Sequence, residues 1–127
     1  MFKRSLPLFI LTGLFVLTSC AGVGSGSTGE ISVATDKLTF IDFYSDECPN
    51  CMVMIPIVQA LEARYHDHMT FKLLNIDTDG KSLFESLGLR SNPVFLILKP
   101  DSTVVYKGFG KVPELALDKA IRTAIGL

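Results

Sequence analysis

The sequence predicts an α/β domain, a central mixed β-sheet flanked by helices on both faces. Three observations carry this. Strand-like and helix-like runs alternate along the chain, the hydrophobic period switches at Cys51, and the length and composition suit one packed domain. With 127 residues, 48% of them hydrophobic and 20% charged, there is material for one core and no second domain.

Residues 37–44 (KLTFIDFY) are rich in β-branched and aromatic side chains and read as a buried strand. From Cys51 onward Met54, Ile57, Val58, Leu61 and Tyr65 recur at helical spacing, with Gln59, Glu62 and Asp67 opposite. That is an amphipathic helix of about five turns, with a kink expected at Pro56, which removes one backbone donor. Residues 70–76 (TFKLLNI) form a second strand, and residues 81–87 a short helix stopped by Gly88. Residues 93–99 (PVFLILK) make an apolar strand, which Pro100, Asp101 and Ser102 turn into a strand over 103–107. Pro113 starts a last helix, with Leu117, Ala120, Ile121, Ala124 and Ile125 on its inner side. Strand, helix, strand, helix, hairpin and helix together imply the small covered sheet.

The first residues read as an address. A positive head, Lys3 and Arg4, precedes an uncharged run over 6–17. That run suits a secretory signal and falls short of the roughly 20 residues needed to span a bilayer. Thr18-Ser19-Cys20 resembles the lipobox of bacterial lipoproteins, which implies a signal peptide over residues 1–19 and a lipidated Cys20. A diacylated cysteine anchors a protein stably where one acyl chain does not. Residues 21–30 are mostly Gly and Ser, so residues 20–30 form an anchored tether that holds the domain, residues 31–127, about 15–20 Å from the lipid. An exported protein facing the periplasm or the extracellular side is the expectation. Lys+Arg 12 against Asp+Glu 13 leaves no basic patch to bind nucleic acid.

The chemistry rests on Cys48-Pro49-Asn50-Cys51, where a strand ends and a helix begins. A sulfur in the first helical turn faces unpaired N–H groups and the positive end of the helix dipole, both of which favour the thiolate. Pro49 fits the first helical position because its missing donor has no helical partner there. Two intervening residues let the sulfurs bond with little strain. Cys48, nearer the open end, is the expected nucleophile, and the shielded Cys51 the resolving thiol. A zinc site is disfavoured: His66-x-His68 lacks the usual helical ligand spacing, and folding the segment around a metal would sacrifice the core. Both histidines read as solvated residues at a helix end. A purely structural disulfide remains open, though a loop so short stabilises little. No metal and no cofactor is expected.

Phe43 to Pro56 (FYSDECPNCMVMIP), with Ile41-Asp42 before it and Asn92-Pro93 downstream, resembles the thioredoxin family and fold over nearly all of residues 31–127. The resemblance implies a redox-active Cys48–Cys51 disulfide, a buried Asp42 that transfers a proton to and from Cys51, and a cis Pro93 lining the substrate groove. A hydrogen-bonded, merely structural Asp42 is the alternative. The sequence departs from the family pattern at three places. Asp46 and Glu47 precede Cys48 and oppose its thiolate, Leu73 stands where the family has a lysine near the buried Asp, and Asn92 replaces an apolar residue. The expected activity is an extracytoplasmic thiol–disulfide oxidoreductase that reduces protein disulfides and is re-reduced by a membrane-associated electron donor protein. The alternatives are an oxidase using the same pair, or a copper-binding lipoprotein with Met52 and Met54 beside the thiolates.

Overall fold

The computed structural model describes residues 36–127; the expected signal segment, Cys20, the tether and the first residues of the domain lie outside them. Among the described residues four strands make one sheet: β1 (Leu38–Tyr44), β2 (Met69–Asn75), β3 (Val94–Leu98) and β4 (Val104–Phe109), in the order β2-β1-β3-β4. The β1/β2 pair is parallel, with Asp42 opposite Leu73, whereas β1/β3 and β3/β4 are antiparallel. The sheet is mixed, as expected: the crossover through the helix after β1 sets β2 parallel to β1, while the connection through the helix after β2 returns β3 antiparallel on the other side of β1.

The described residues cover it with three helices: α1 (Pro49–Tyr65), α2 (Lys81–Ser86) and α3 (Glu114–Ile125). Alternation along each strand divides the core in two. Phe40, Phe95 and Ile97 meet Met54, Val58 and Leu61 of α1 and Leu117 and Ile121 of α3. Ile41, Phe43, Val94 and Leu96 face the other way, onto Phe84 of α2 and Leu89. Each large side chain buried this fully is worth about 1.5–3 kcal/mol of transfer free energy. Phe40 stacks on Phe71 at 5.1 Å between ring centroids, and Phe43 meets Phe84 edge-on at 5.5 Å.

The helix ends follow local chemistry. α1 runs through Pro56 as one helix and starts two residues before Cys51, where the apolar periodicity begins. α2 gives way to Gly88, whose φ of +65° is the left-handed conformation that glycine adopts without a Cβ penalty. Pro113 caps α3 from outside, so that helix begins one residue later than expected. The hairpin turn places Ser102 at φ 66°, with its N–H donating to the Lys99 carbonyl at 2.9 Å. β4 extends to Phe109, beyond the expected end at 107, because the pairing of Val94 with Phe109 completes the ladder to β3. Among the described residues no helix is long and apolar enough to cross a membrane.

Candidate active site

All the site elements meet at one end of the sheet, where β1 stops and α1 starts. Cys48 is the N-cap of α1, in extended conformation (φ −96°, ψ 106°), and Pro49 is the first helical residue. The Cys48 N–H donates to the Ser45 carbonyl at 3.2 Å, and the Cys48 carbonyl accepts the N–H of Met52 at 3.1 Å. The Cys48 sulfur accepts the N–H of Cys51 at 3.2 Å, as a capping oxygen would. One of the unpaired donors at the helix start is therefore aimed at this sulfur, which favours negative charge on it.

Cys48 and Cys51 are joined in a disulfide, with their Cα atoms 5.2 Å apart, inside the ordinary range for such bonds. The two sulfurs differ in access. Cys51 is fully buried, whereas Cys48 is half-buried among the exposed Asp46, Pro49 and Asn50. An incoming sulfur can reach only the first.

Asp42 lies on the α1-facing side of β1, the side of Phe40, and is completely buried. Neither carboxylate oxygen has a hydrogen-bond partner. Burial alone pushes its pKa from 3.8 up to about 7. No protein group supplies the hydrogen bonds of the structural Asp weighed from the sequence. Leu73, its register partner on β2, brings an apolar side chain where a cation would favour the carboxylate. Asp42 can thus hold or release a proton near neutral pH.

Asn92–Pro93 is a cis peptide bond, and it faces the cysteines: the Asn92 carbonyl oxygen is 3.8 Å from the Cys48 sulfur. The Pro93 carbonyl accepts the N–H of Gly110 at 2.9 Å, which ties this loop to the end of β4. Asn92 does not present its amide nitrogen to the groove as a free donor. It donates instead to the Ser45 hydroxyl at 2.7 Å. Sequence reasoning missed Ser45, and no local signal marks it; only the fold brings it to a residue 47 positions away.

Asp46 accepts a hydrogen bond from the Asn75 amide at 3.3 Å, and Asn75 in turn orders the loop through the Asp77 N–H. Asp46 and Glu47 are both exposed, so solvent screens their opposition to the thiolate. Three apolar side chains stand open around the site: Met52 and Val53 on α1, and Phe109 at the end of β4. Met54, in contrast, is buried in the core and is not available as a metal ligand. His66 caps the far end of α1, about 22 Å of helix from Cys51, so these residues cannot share an ion. A cleft of about 550 Å³ between β4 and α3, lined by Val105, Tyr106, Lys119 and Ala120 among others, shares no residue with the cysteine site.

Comparison with known proteins agrees with this geometry. The family model for thioredoxin matches residues 28–123. The chain belongs to the thioredoxin family. Over 90 residues it is 38% identical to the thiol:disulfide interchange protein TxlA of Synechococcus elongatus, a match covering 69% of this chain and 47% of that protein. It is 36% identical over 74 residues to the chloroplast thioredoxin F2 of Arabidopsis thaliana, covering 58% of this chain and 40% of the relative. A thioredoxin of Chlorobaculum thiosulfatiphilum is 30% identical over 92 residues, covering 72% and 83% respectively. The chain spans about half the length, or less, of the plant and cyanobacterial relatives it matches. Among solved structures, a chain from work on the thiol resolving mechanism of a yeast mitochondrial 1-Cys peroxiredoxin superposes with a TM-score of 0.62. That superposition covers 71% of this chain and 81% of the other at 23% identity, and it bears on the fold alone.

Proposed function

We propose that this thioredoxin-family protein is a thiol–disulfide oxidoreductase that reduces protein disulfides outside the cytoplasm, tethered to a membrane through a lipid on Cys20. One observation supports the exchange chemistry above the rest. A reachable Cys48 sulfur is bonded to a buried Cys51 at a helix start, on the side of the sheet where Asp42 lies buried and unpartnered.

In the reducing direction the Cys48 thiolate attacks one sulfur of a substrate disulfide, and the other substrate sulfur leaves as a thiolate. Cys51 loses its proton to the Asp42 carboxylate and attacks the Cys48 sulfur, expelling the second substrate thiolate. Two electrons pass to the substrate, and the Cys48–Cys51 disulfide results. A dithiol electron donor in the same membrane system then reduces it, and the Asp42 proton returns to Cys51. The cis Pro93 and the neighbouring backbone line the groove for an extended substrate segment.

Reduction of insulin, with a small dithiol as the electron source, tests this reading. The native protein should turn over and Cys48→Ser should not; equal rates for the two overturn it. The direction is tested by the reduction potential. A value near that of thioredoxin, about −270 mV, fits a reductase, and one near −120 mV makes the protein an oxidase. The tether rests on the sequence around Cys20, and a mature Cys20 without added lipid mass removes it.

A further inference from the structure

We propose that Ser45 is a positioning residue for Cys48: by holding the Asn92 amide, its hydroxyl fixes the Asn92 carbonyl against the Cys48 sulfur. Three contacts close a ring. The Ser45 carbonyl accepts the Cys48 N–H at 3.2 Å, the Ser45 hydroxyl accepts the Asn92 amide at 2.7 Å, and the Asn92 carbonyl lies 3.8 Å from the Cys48 sulfur. Ser45 is itself buried, at 8% exposure, so water does not readily replace its hydroxyl as the partner of Asn92. One residue therefore grips both walls of the site, the loop that carries the sulfur and the loop that carries the cis proline.

The carbonyl has a definite electrical consequence. In the dithiol state the neutral Cys48 S–H has an acceptor in place, whereas the thiolate faces the negative end of the same carbonyl dipole. Both effects favour the protonated sulfur. They oppose the Cys51 N–H, which reaches the sulfur from the other side at 3.2 Å and favours the thiolate. Cys48 is thus held between a donor from the helix and an acceptor from the cis-proline loop, and Ser45 sets how firmly the acceptor is held. The inference rests on the reading above in which Cys48 is the attacking sulfur.

The test is the pH dependence of iodoacetamide alkylation of the reduced full-length protein over roughly pH 5 to 10, with the Cys48 and Cys51 peptides separated from each other and from that of Cys20 by mass spectrometry, whether or not Cys20 carries its lipid. Ser45→Ala should lower the Cys48 midpoint by about half a pH unit, roughly a threefold rise in thiolate below the midpoint. Ser45→Thr keeps the hydroxyl and should keep the parent midpoint. Asn92→Ala cuts the same link and should give the same shift, and the double variant should add nothing further. Should Ser45→Ala not fold, Asn92→Ala reads the link alone. An unmoved Cys48 midpoint in the folded variants, or shifts that simply add, overturns the positioning role while leaving the exchange chemistry intact. A parent protein in which Cys48 reacts no faster than Cys51 instead overturns the proposed function, and this inference with it.

Discussion

Two carboxylates lie near opposite ends of α1, and the fold treats them in opposite ways. Asp118, on α3, meets the far end of the helix. It accepts the Tyr65 hydroxyl at 2.7 Å and the Arg64 guanidinium at 2.6 Å, and these partners hold its carboxyl below the usual 3.8. Asp42, toward the cysteine end, has no partner at all and is pushed up to about 7. One carboxylate braces two helices; the other, raised by burial, changes protonation near neutral pH, as the proposed exchange requires. The difference teaches that, of these two carboxylates, the one toward the sulfurs is the one whose burial costs stability.

The linkage signs follow. Asp118, with its pKa depressed, contributes stability that is present above pH 3.8 and is lost as the pH falls through its lower folded value. Asp42, with its pKa raised, binds its proton more tightly in the folded state. Ionisation therefore adds no cost below pH 3.8, adds progressively more between 3.8 and about 7, and adds its full cost above that, on top of the pH-independent cost of burying an unpaired carboxyl.

The comparison predicts that exchange belongs wholly to one end of α1. The largest effect is expected from Cys51→Ser, which should abolish insulin turnover while Asp118→Ala leaves it unchanged; comparable losses in both variants would break the division. Next comes Asp42→Ala. Its stability relative to the parent should rise by roughly 2–4 kcal/mol between pH 4 and pH 8 in denaturant titrations, and it should slow exchange. A pH-independent change would mean that Asp42 is not buried as an acid. Leu73→Lys sharpens the same point by placing a cation opposite Asp42 in the β1/β2 register, and should lower the Asp42 midpoint by about one unit, read by carboxyl NMR. The smallest effect is expected from Asp118→Ala, a loss of about 1 kcal/mol from the severed Tyr65 bond, measured near pH 7.

How far the sequence alone reaches is clear from particular residues. The strands over 37–44 and 93–99 and the helix after Cys48 were legible, because a buried strand must be apolar on both faces and a helix must repeat its apolar side chains. Cys48 and Cys51 were legible for a related reason, since their spacing and their place at a helix start are both local. Asp42 stood out as a charge inside an apolar strand. What no local pattern carries is the company each residue keeps. The lack of partners around Asp42, the link from Asn92 to Ser45 and the hold of Asn75 on Asp46 all join positions far apart in the chain. The acidic pair before Cys48 is expected from sequence to act weakly if solvated, and both side chains are exposed, so water screens them.

The proposed attack by Cys48 and release by Cys51 can be separated by removing the second step. In Cys51→Ala the mixed disulfide has no internal sulfur to resolve it, so incubation with a disulfide-bonded protein should leave that protein covalently held at Cys48, released by added thiol and visible as a mass adduct on the Cys48 peptide. An unmodified Cys48 peptide after such incubation, in a variant shown to be folded, would contradict the account at its centre.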